Sequence, residues 1–333
     1  MKAFTLKKYD KKGVLELTNV PIPQINENEV LVEIHAAGLN LLDSKIKSGE
    51  FKMILPYKLP LILGHDVSGV ITKVGKQVTK FRVGDEIYAR APDFHIGTLA
   101  EFILIEQEYL ALKPKNLSMV EAASMPLVAL TAWQALIEKG NLKKGQKVFI
   151  QAGSGGVGTV AIQLAKHLGA TVATTASEKS FEMLKNLGAD VLINYKTEDF
   201  ETILKDYDLV LNSQDKKTLE KSLHVIKSGG KTISISGPPT KDFAKSIGSS
   251  WLIQTILSLI SYGIRKKAKR LNIDYSFLFM KANGTQLREI TSLIEAGLIV
   301  PVIDKVFPFD HTNEALKYVE GGHTKGKVVV NMK

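Results

Sequence analysis

Cysteine is the residue type that this sequence lacks altogether: none of its 333 residues is a cysteine. The absence excludes disulfide bonds, a catalytic thiol and every zinc site built on thiolates, and it fits a reducing compartment. Acidic residues are also scarce, with 34 Asp and Glu against 44 Lys and Arg, which gives a formal net charge of +10. Because no basic tail or aromatic-interleaved basic stripe accompanies that charge, we expect a lysine-rich solvated surface and no nucleic-acid partner.

Long hydrophobic runs are missing as well. The longest apolar stretch, Trp251–Ile264, is interrupted by polar residues and is too short to span a bilayer. The first ten residues already contain Lys7, Lys8 and Asp10 and lack the apolar core of a signal peptide. The sequence therefore predicts a soluble, cytoplasmic protein, long enough for two domains.

The pattern of apolar residues changes after the first third of the chain. Short β-rich runs punctuated by Gly and Pro, such as Val30–Ile34, Val67–Val74 and Phe102–Ile105, predict an irregular antiparallel barrel. From Val148 onward strands alternate with helices, which predicts a parallel sheet with right-handed crossovers. The predicted strands here are Val148–Gln151, Thr171–Thr175, Val191–Ile193, Leu209–Leu211 and Lys231–Ile235, and the helix that follows the first of them is Val157–Leu168.

Residues 240–275 break this alternation. The apolar positions predict a helix over Asp242–Gly263, followed by the basic cluster Arg265–Arg270. An amphipathic helix with a basic flank can lie on an anionic bilayer, so one hypothesis is peripheral membrane contact through residues 251–270. Burial is the usual fate of an apolar helix, so a cap over a substrate cleft or the interface of a homodimer is the favoured alternative.

The segment Gly153-Ser154-Gly155-Gly156-Val157-Gly158 matches the pattern G-x-G-x-x-G between a predicted strand and a predicted helix. In that context the first glycine permits a tight turn, the second lets the backbone approach a pyrophosphate, and the third lets the helix pack closely on the strand. The helix N-terminus adds free N–H groups and a partial positive charge. We therefore predict that Gly153, Ser154, Gly155, Gly156, Val157 and Gly158 bind the pyrophosphate of a nicotinamide dinucleotide.

The end of the second strand in this part bears on which dinucleotide binds. NAD-binding proteins place an acidic residue about 20 positions after the turn, where it accepts the ribose hydroxyls. Here Ser177 occupies that position and Lys179 is close by, and a hydroxyl with an ammonium suits a 2′-phosphate. This pattern favours NADPH, although Glu178 could point inward, and Ser177 and Lys179 also fit a helix N-cap and a solvated lysine.

Together these features resemble the medium-chain dehydrogenase/reductase superfamily, over essentially the whole chain. The resemblance is carried by the segments Gly38–Asn40, Gly64–Gly69, Val83–Asp85, Leu130–Trp133, Gly153–Gly158, Leu187–Asp190 and Gly326–Val329. It is greatest for the branch of zinc-independent quinone oxidoreductases and enone reductases. It implies a GroES-like irregular β-barrel domain over residues 1–121 and 283–333. A Rossmann doubly wound parallel-sheet domain is implied over residues 122–282, with 240–275 as a helical insertion.

The resemblance also bears on metal binding. Zinc-containing members of the superfamily have a cysteine ligand where this chain has Asn40, and they use the histidine that corresponds to His65. An amide is a poor zinc ligand, and His65 with Asp66 would lack a third ligand. We therefore expect no zinc, a packing or hydrogen-bonding role for His65, and a structural partner for Asp66.

Three residues are the candidates for catalysis. The resemblance places the loop with Asn40 and Asp43 beside the nicotinamide, where the Asn40 amide is a plausible donor to the acceptor oxygen. The alternative is that Asn40 and Asp43 hold the backbone of the loop. Tyr57 lies in a segment expected at the entrance to the cleft, where it would donate a proton or, as we favour, pack against the substrate or lie exposed to solvent.

The resemblance assigns further cofactor contacts. Thr131 corresponds to a Thr-Ala pair near the nicotinamide ribose and phosphate, and Tyr195 follows the third strand near the adenosine phosphate. Phe277 and Phe279 correspond to an edge strand whose backbone meets the carboxamide, although their side chains also fit a core. The fourth strand departs from the family pattern at Asn212 and Ser213, which leaves contacts there open.

The sequence thus predicts a zinc-independent, NADPH-dependent oxidoreductase that transfers hydride to quinones or α,β-unsaturated carbonyl compounds. Such acceptors need hydrogen-bond donors at the oxygen and a proton source, and they need no Lewis acid. The alternative is an NADPH-binding module with little catalysis that associates with a membrane or a protein partner. A zinc alcohol dehydrogenase is the third hypothesis, and it requires metal.

Overall fold

The structure, a computed structural model, describes residues 1–333. Its strands are β1 Lys2–Leu6, β2 Glu16–Asn19, β3 Glu29–Leu39, β4 Leu61–Ile62, β5 Asp66–Val74, β6 Glu86–Arg90, β7 Phe102–Glu106, β8 Leu110–Leu112, β9 Lys147–Ile150, β10 Thr171–Ala176, β11 Val191–Asn194, β12 Tyr207–Asn212, β13 Ile226–Ser234, β14 Asp274–Phe277, β15 Ile303–Pro308 and β16 Lys327–Asn331. Its α-helices are α1 Leu41–Ser48, α2 Met119–Ala123, α3 Pro126–Trp133, α4 Gly156–His167, α5 Phe181–Asn186, α6 Phe200–Ile203, α7 Lys216–Ser222, α8 Lys241–Ser246, α9 Trp251–Ile260, α10 Tyr262–Arg270, α11 Gly284–Glu295 and α12 Thr312–Glu320.

The chain forms two compact units. Unit 1 comprises Met1–Leu130 and Lys281–Lys333, and unit 2 comprises Thr131–Met280. The predicted bounds of the middle domain are residues 122–282, whereas the division of the structure falls inside α3. No sequence signal marks it, because α3 is a continuous apolar helix across that point.

Unit 1 is built on a seven-stranded, mostly antiparallel sheet. The order β15-β16-β3-β5-β6-β8, with β7 also paired to β3, is antiparallel throughout except for the parallel pair β15–β16. A small sheet with the order β2-β1-β4 completes the unit. Alternating apolar residues of β3, β5, β6 and β7 form the core, including Val30, Val32, Ile34, Val67, Ile71, Ile87 and Ile105. The irregular barrel predicted for the first third is confirmed.

Unit 2 contains a six-stranded parallel sheet with the order β11-β10-β9-β12-β13-β14. Its central strands are buried on both faces, which explains their continuous apolar sequences such as Val148–Ile150. The strand order reverses between β9 and β12, and in doubly wound sheets this is the point where ligands bind at the carboxyl ends of strands. The predicted Rossmann architecture is confirmed.

The segment 240–275 differs from its prediction. In place of one helix over Asp242–Gly263, the structure has the three helices α8, α9 and α10. The first break is at Gly248, whose φ of +65° lies in the left-handed region. At the second break the hydroxyl of Ser261 donates to the carbonyl of Leu257 (2.8 Å). The basic cluster predicted to follow the helix forms most of α10.

Candidate functional site

The glycine-rich turn of unit 2 joins β9 to α4. Ala152 has a φ of +51°, and the Gly153 N–H donates to the carbonyl of Thr175 (3.0 Å), so the turn is bound to the neighbouring strand β10. A Cβ at Gly153 would lie 2.2 Å from Thr174 Oγ1, and a Cβ at Gly158 would lie 2.5 Å from the Ala152 carbonyl oxygen. Both positions therefore require glycine for packing. The pattern predicts this for Gly158, whereas for Gly153 it predicts the tight turn.

Gly155 is different, because its surroundings are open. A Cβ there would meet nothing closer than the Ala152 carbonyl oxygen at 3.4 Å, and its φ of −78° suits any residue. Gly155 is the N-cap of α4 and provides no side chain to satisfy the first N–H groups of the helix. These uncapped N–H groups lie beside an open glycine, which is the arrangement that a dinucleotide pyrophosphate needs. Free N–H groups and the partial positive charge of a helix N-terminus attract anions.

The residues predicted to meet the adenosine end follow adjacent strands. Ala176 of β10 pairs with Asn194 of β11, and Ser177 and Tyr195 are the next residue of each strand. Tyr195 is 58% exposed, and Lys179 lies in the one-turn helix Glu178–Ser180 that begins after Ser177. The Ser177 hydroxyl makes no capping hydrogen bond. The structure thus brings Ser177, Lys179 and Tyr195 to the same edge of the sheet as the glycine turn.

A buried hydrogen-bond chain ties three strand ends of unit 2 together, and the sequence did not reveal it. Gln151 Nε2 donates to Ser222 Oγ, Asn212 Nδ2 donates to Gln151 Oε1 (2.6 Å), and Ser234 Oγ donates to Asn212 Oδ1 (2.5 Å). Asn212, which departs from the family pattern, is fully buried and stabilises the sheet through these hydrogen bonds. Its side chain fixes the loops that follow β9, β12 and β13.

The remaining predicted cofactor contacts lie in two places. Thr131 is buried in α3 at the start of unit 2. Phe277 ends the edge strand β14, while the rings of Phe277 and Phe279 pack on Phe243 with centroids 5.0 and 5.5 Å apart. The side chains are therefore part of a core, as the alternative reading held, and only the backbone of this edge is left for a ligand.

Unit 1 contains a buried polar network centred on Asp66. Lys327 Nζ donates to Asp66 Oδ2 (3.0 Å), to Asn40 Oδ1 (2.5 Å) and to the carbonyl of Leu39 (2.8 Å). Asp66 also accepts from Asn40 Nδ2 (3.0 Å) and from the Leu127 N–H (2.7 Å). The expected structural partner of Asp66 is confirmed, and it is Lys327, which no sequence motif indicated.

The same network changes the interpretation of Asn40. Its amide oxygen accepts from Lys327 and its amide nitrogen donates to Asp66, and the residue is 7% exposed. Both ends of the amide are thus engaged within unit 1. This arrangement supports the structural alternative for Asn40 over direct donation to an acceptor oxygen.

Asp43 and His65 form a second buried pair. Asp43 Oδ1 lies 2.6 Å from His65 Nδ1, and Asp43 Oδ2 accepts from the Asn40 N–H (2.8 Å) at the start of α1. Both side chains are 0% exposed. His65 Nε2 is buried and has no hydrogen-bond partner. The expectation of a hydrogen-bonding role for His65 is confirmed, and its second ring nitrogen is left over.

Tyr57 lies near this pair. Its hydroxyl is buried without a hydrogen bond of standard geometry, although the Phe94 N–H approaches it, and its ring packs on Phe94 with centroids 5.6 Å apart. Burial raises the pKa of Tyr57 well above its ordinary value, and the negative charges of Asp93 and Asp43 act in the same direction. Tyr57 is therefore a neutral hydroxyl donor at any physiological pH.

Helices α9 and α10 carry a large exposed apolar surface in unit 2. Trp251 is 76% exposed and Leu259 is 71% exposed, and Leu252, Ile260 and Tyr262 are each more than half exposed. We call these five residues the α9–α10 patch. Of the apolar residues of these two helices, Leu257, Ile264 and Ala268 are buried. The favoured burial of the segment, as a cleft cap or in a homodimer interface, stays a prediction.

No helix of the structure combines the length and the hydropathy that a bilayer crossing requires. The structure also contains no group of three or more His, Asp or Glu side chains arranged around a common point that could hold a metal ion.

Two protein families match the chain. The alcohol dehydrogenase GroES-like domain family matches residues 26–115, and the zinc-binding dehydrogenase family matches residues 187–330. The first match lies in unit 1, and the second covers parts of both units.

Individual relatives span the whole chain. The mitochondrial NAD(P)H oxidoreductase RTN4IP1 of Danio rerio is 36% identical over 356 residues, covering 100% of this chain and 91% of the relative. The 2-methylene-furan-3-one reductase of Solanum lycopersicum is 37% identical over 345 residues, covering 99% and 79%. Among solved structures, the quinone oxidoreductase from Coxiella burnetii has a TM-score of 0.87 at 30% identity, covering 100% of this chain and 99% of that one.

Proposed function

Since this chain belongs to the medium-chain dehydrogenase/reductase superfamily, in its branch of quinone oxidoreductases and enone reductases, we propose that it transfers hydride from NADPH to quinones or α,β-unsaturated carbonyl compounds. The observation that carries the proposal is the open, uncapped turn at Gly155 on a doubly wound sheet. The names of the relatives, an NAD(P)H oxidoreductase and an enone reductase, agree with it.

The residues of unit 2 account for cofactor binding. The N–H groups at the start of α4 would hold the pyrophosphate, and Ser177 with Lys179 would hold the 2′-phosphate that distinguishes NADPH from NADH. Tyr195, exposed at the adjacent strand end, would cover the adenosine side. The backbone at Phe277–Phe279, the edge of the sheet, and Thr131 would receive the nicotinamide half. When bound, NADPH supplies the hydride.

The residues of unit 1 account for the acceptor. We assign Tyr57 and Asp43 to the acceptor side. Tyr57 is a neutral hydrogen-bond donor there, and Asp43 acts by holding His65. The backbone N–H of Asn40 in turn positions the Asp43 carboxylate. The reaction needs no zinc in this proposal, since the amide of Asn40 stands where a thiolate ligand would be and Lys327 already supplies a buried cation. Elemental analysis of the purified protein tests this, and stoichiometric zinc would contradict it.

A turnover screen tests the function. NADPH oxidation is followed at 340 nm with a panel of quinones and enones of varied chain length, in parallel with NADH. We expect turnover with at least one acceptor class and a preference for NADPH. Tight NADPH binding without turnover would favour the alternative, a binding module with little catalysis. Gly155→Ala serves as the matched variant: it changes only the cofactor turn of unit 2, so it should weaken NADPH binding and leave the residues of unit 1 unchanged.

The α9–α10 patch supports a second proposal, namely peripheral contact with an anionic membrane. Trp and Tyr side chains favour the membrane–water interface, and the patch is followed in α10 by Arg265, Lys266, Lys267, Lys269 and Arg270. Apolar area beside a run of cations is the composition that binds anionic lipid. A homodimer interface is the competing occupant of this surface.

Flotation with vesicles of neutral and anionic lipid separates the two occupants. We expect wild-type protein to float with anionic vesicles only, and Trp251→Ser or Lys266→Glu with Lys269→Glu to stay behind. Lys11→Glu with Lys12→Glu, an equal charge change at exposed residues of unit 1, should float like wild type. If sedimentation instead shows a dimer that Trp251→Ser dissociates, the surface is a dimer interface.

A further inference from the structure

His65 has a ring nitrogen whose bonding the fold leaves incomplete. The side chain is 0% exposed, Nδ1 is bound to Asp43 at 2.6 Å, and Nε2 has no partner. A buried polar atom without a hydrogen bond costs roughly 1–3 kcal/mol, and such atoms are uncommon in folded proteins. An unpaired histidine nitrogen in a buried polar site therefore points to a partner atom outside the chain itself.

Asp43 fixes the orientation of that nitrogen. One carboxylate oxygen accepts from the backbone N–H of Asn40 at the start of α1, and the other holds His65 Nδ1. A carboxylate held in this way keeps the proton on Nδ1, so that Nε2 is the atom left to exchange a proton with a third group. The same arrangement of carboxylate and imidazole stabilises the imidazolium form.

The neighbouring charged side chains are engaged with partners of their own. Asp66 is neutralised by Lys327, and Arg90 is bound to Asp93 at 2.6 Å. The carboxylate of Asp43 accepts from a neutral backbone N–H, and its side-chain partner is His65. Tyr57, whose hydroxyl lies within the influence of the Asp43 charge, stays neutral because burial raises its pKa.

We propose that His65 is the catalytic acid of the reaction and that Asp43 is its positioning residue. The inference rests on the proposed function. The acceptor gains hydride at its electron-poor carbon, and the electron pair of the conjugated system moves to its carbonyl oxygen. His65 Nε2–H then donates its proton to that oxygen, which leaves a neutral imidazole whose Nδ1–H remains on Asp43, and solvent restores the proton between turnovers.

Three variants test the assignment. His65→Gln and Asp43→Asn should lower kcat by about 10²- to 10⁴-fold, the usual contribution of a general acid, with an unchanged Kd for NADPH. His65→Ala should regain part of its kcat when imidazole is added. In wild-type protein kcat should fall as pH rises and the imidazolium is lost, and this limb should be absent in His65→Gln. His224→Gln, which replaces a histidine that is 65% exposed on unit 2, is the matched control.

A readout independent of turnover is ¹⁵N NMR of the imidazole in the protein without cofactor, assigned by the signal that His65→Gln removes. We expect the Nε2 signal to move when a quinol or saturated ketone product is added and when Asp43 becomes Asn. An unchanged kcat in His65→Gln overturns the proposal. A lowered kcat with the wild-type pH limb and no imidazole rescue also overturns it, because that is the result of a structural role. Absence of turnover in wild-type protein contradicts the proposed function instead.

Discussion

Removing the buried ammonium of Lys327 should destabilise unit 1 strongly. In Lys327→Met the aliphatic stem is retained, but Asp66, which is 0% exposed, loses its cation, and Asn40 and the Leu39 carbonyl each lose a donor. Breaking a buried ion pair by removing one partner costs about 3–5 kcal/mol. For a domain of roughly 150–250 residues each kcal/mol lowers Tm by about 2–4 °C, so a fall of the order of 10 °C is expected in a thermal melt.

Two further variants make this prediction refutable. Asp66→Asn in the Lys327→Met background removes the unpaired charge and should recover about half of the lost stability, since the penalty lies mainly in the buried carboxylate. Lys333→Met breaks the exposed pair with Glu33 and should cost less than about 1 kcal/mol. If urea unfolding places Lys327→Met within 1 kcal/mol of wild type, or if the double variant is the least stable of the three, the network does not stabilise unit 1 as argued.

Three other predictions concern the cofactor turn and the buried tyrosines. Gly155→Ala should raise the Kd for NADPH at least about tenfold in a fluorescence titration, because the added Cβ occupies the open space where the pyrophosphate would bind, and it should change Tm little. Gly158→Ala should instead lower Tm, because the added Cβ would lie 2.5 Å from a carbonyl oxygen. Lys179→Met should weaken NADPH binding by about 10- to 100-fold and leave NADH binding unchanged, the loss of one charge-assisted hydrogen bond; equal loss for both cofactors would refute its role. Burial raises the pKa of the Tyr57 and Tyr88 hydroxyls. The free energy of unfolding should therefore contain their full contribution below the unfolded pKa of about 10 and lose it as pH rises above that value. Tyrosinate absorbance at 295 nm should show both hydroxyls ionising only as the protein unfolds.

The parts of this protein that depend on local pattern were predictable from the sequence. The sheet of unit 2 followed from alternating strands and helices, and the glycine turn followed from its spacing between β9 and α4. Helix breaks inside 240–275 were not predictable from apolar spacing, because Gly248 and Ser261 interrupt a segment whose hydrophobic period continues across them. The exposure of Trp251 was not predictable either, because the same hydrophobic periodicity occurs in buried helices and in surface helices.

The polar networks illustrate a second limit. Lys327 lies 261 positions after Asp66 and 287 after Asn40, and no spacing rule relates residues that meet through antiparallel pairing of β16 with β3 and of β3 with β5. The one local signal was a lysine at the start of the apolar run Lys327–Val330. Such a lysine is rarely buried unless it is paired. Gln151 directly follows β9, and Asn212 and Ser234 end β12 and β13, so only the sheet order makes these three residues neighbours.

The two networks of unit 1 meet at Asn40, and this has a consequence for catalysis. The side chain of Asn40 belongs to the charge-balanced group with Asp66 and Lys327, while its backbone N–H holds Asp43, which in turn holds His65. Loss of Lys327 frees one end of the Asn40 amide and leaves its partner Asp66 without a cation, and we expect this to loosen the backbone N–H that anchors Asp43. At a temperature where Lys327→Met is still folded, its kcat should fall through Asp43 while the Kd for NADPH, which depends on unit 2, stays unchanged. If both constants stay unchanged, the two networks are independent, and Asn40 stabilises the loop without governing the proton donor.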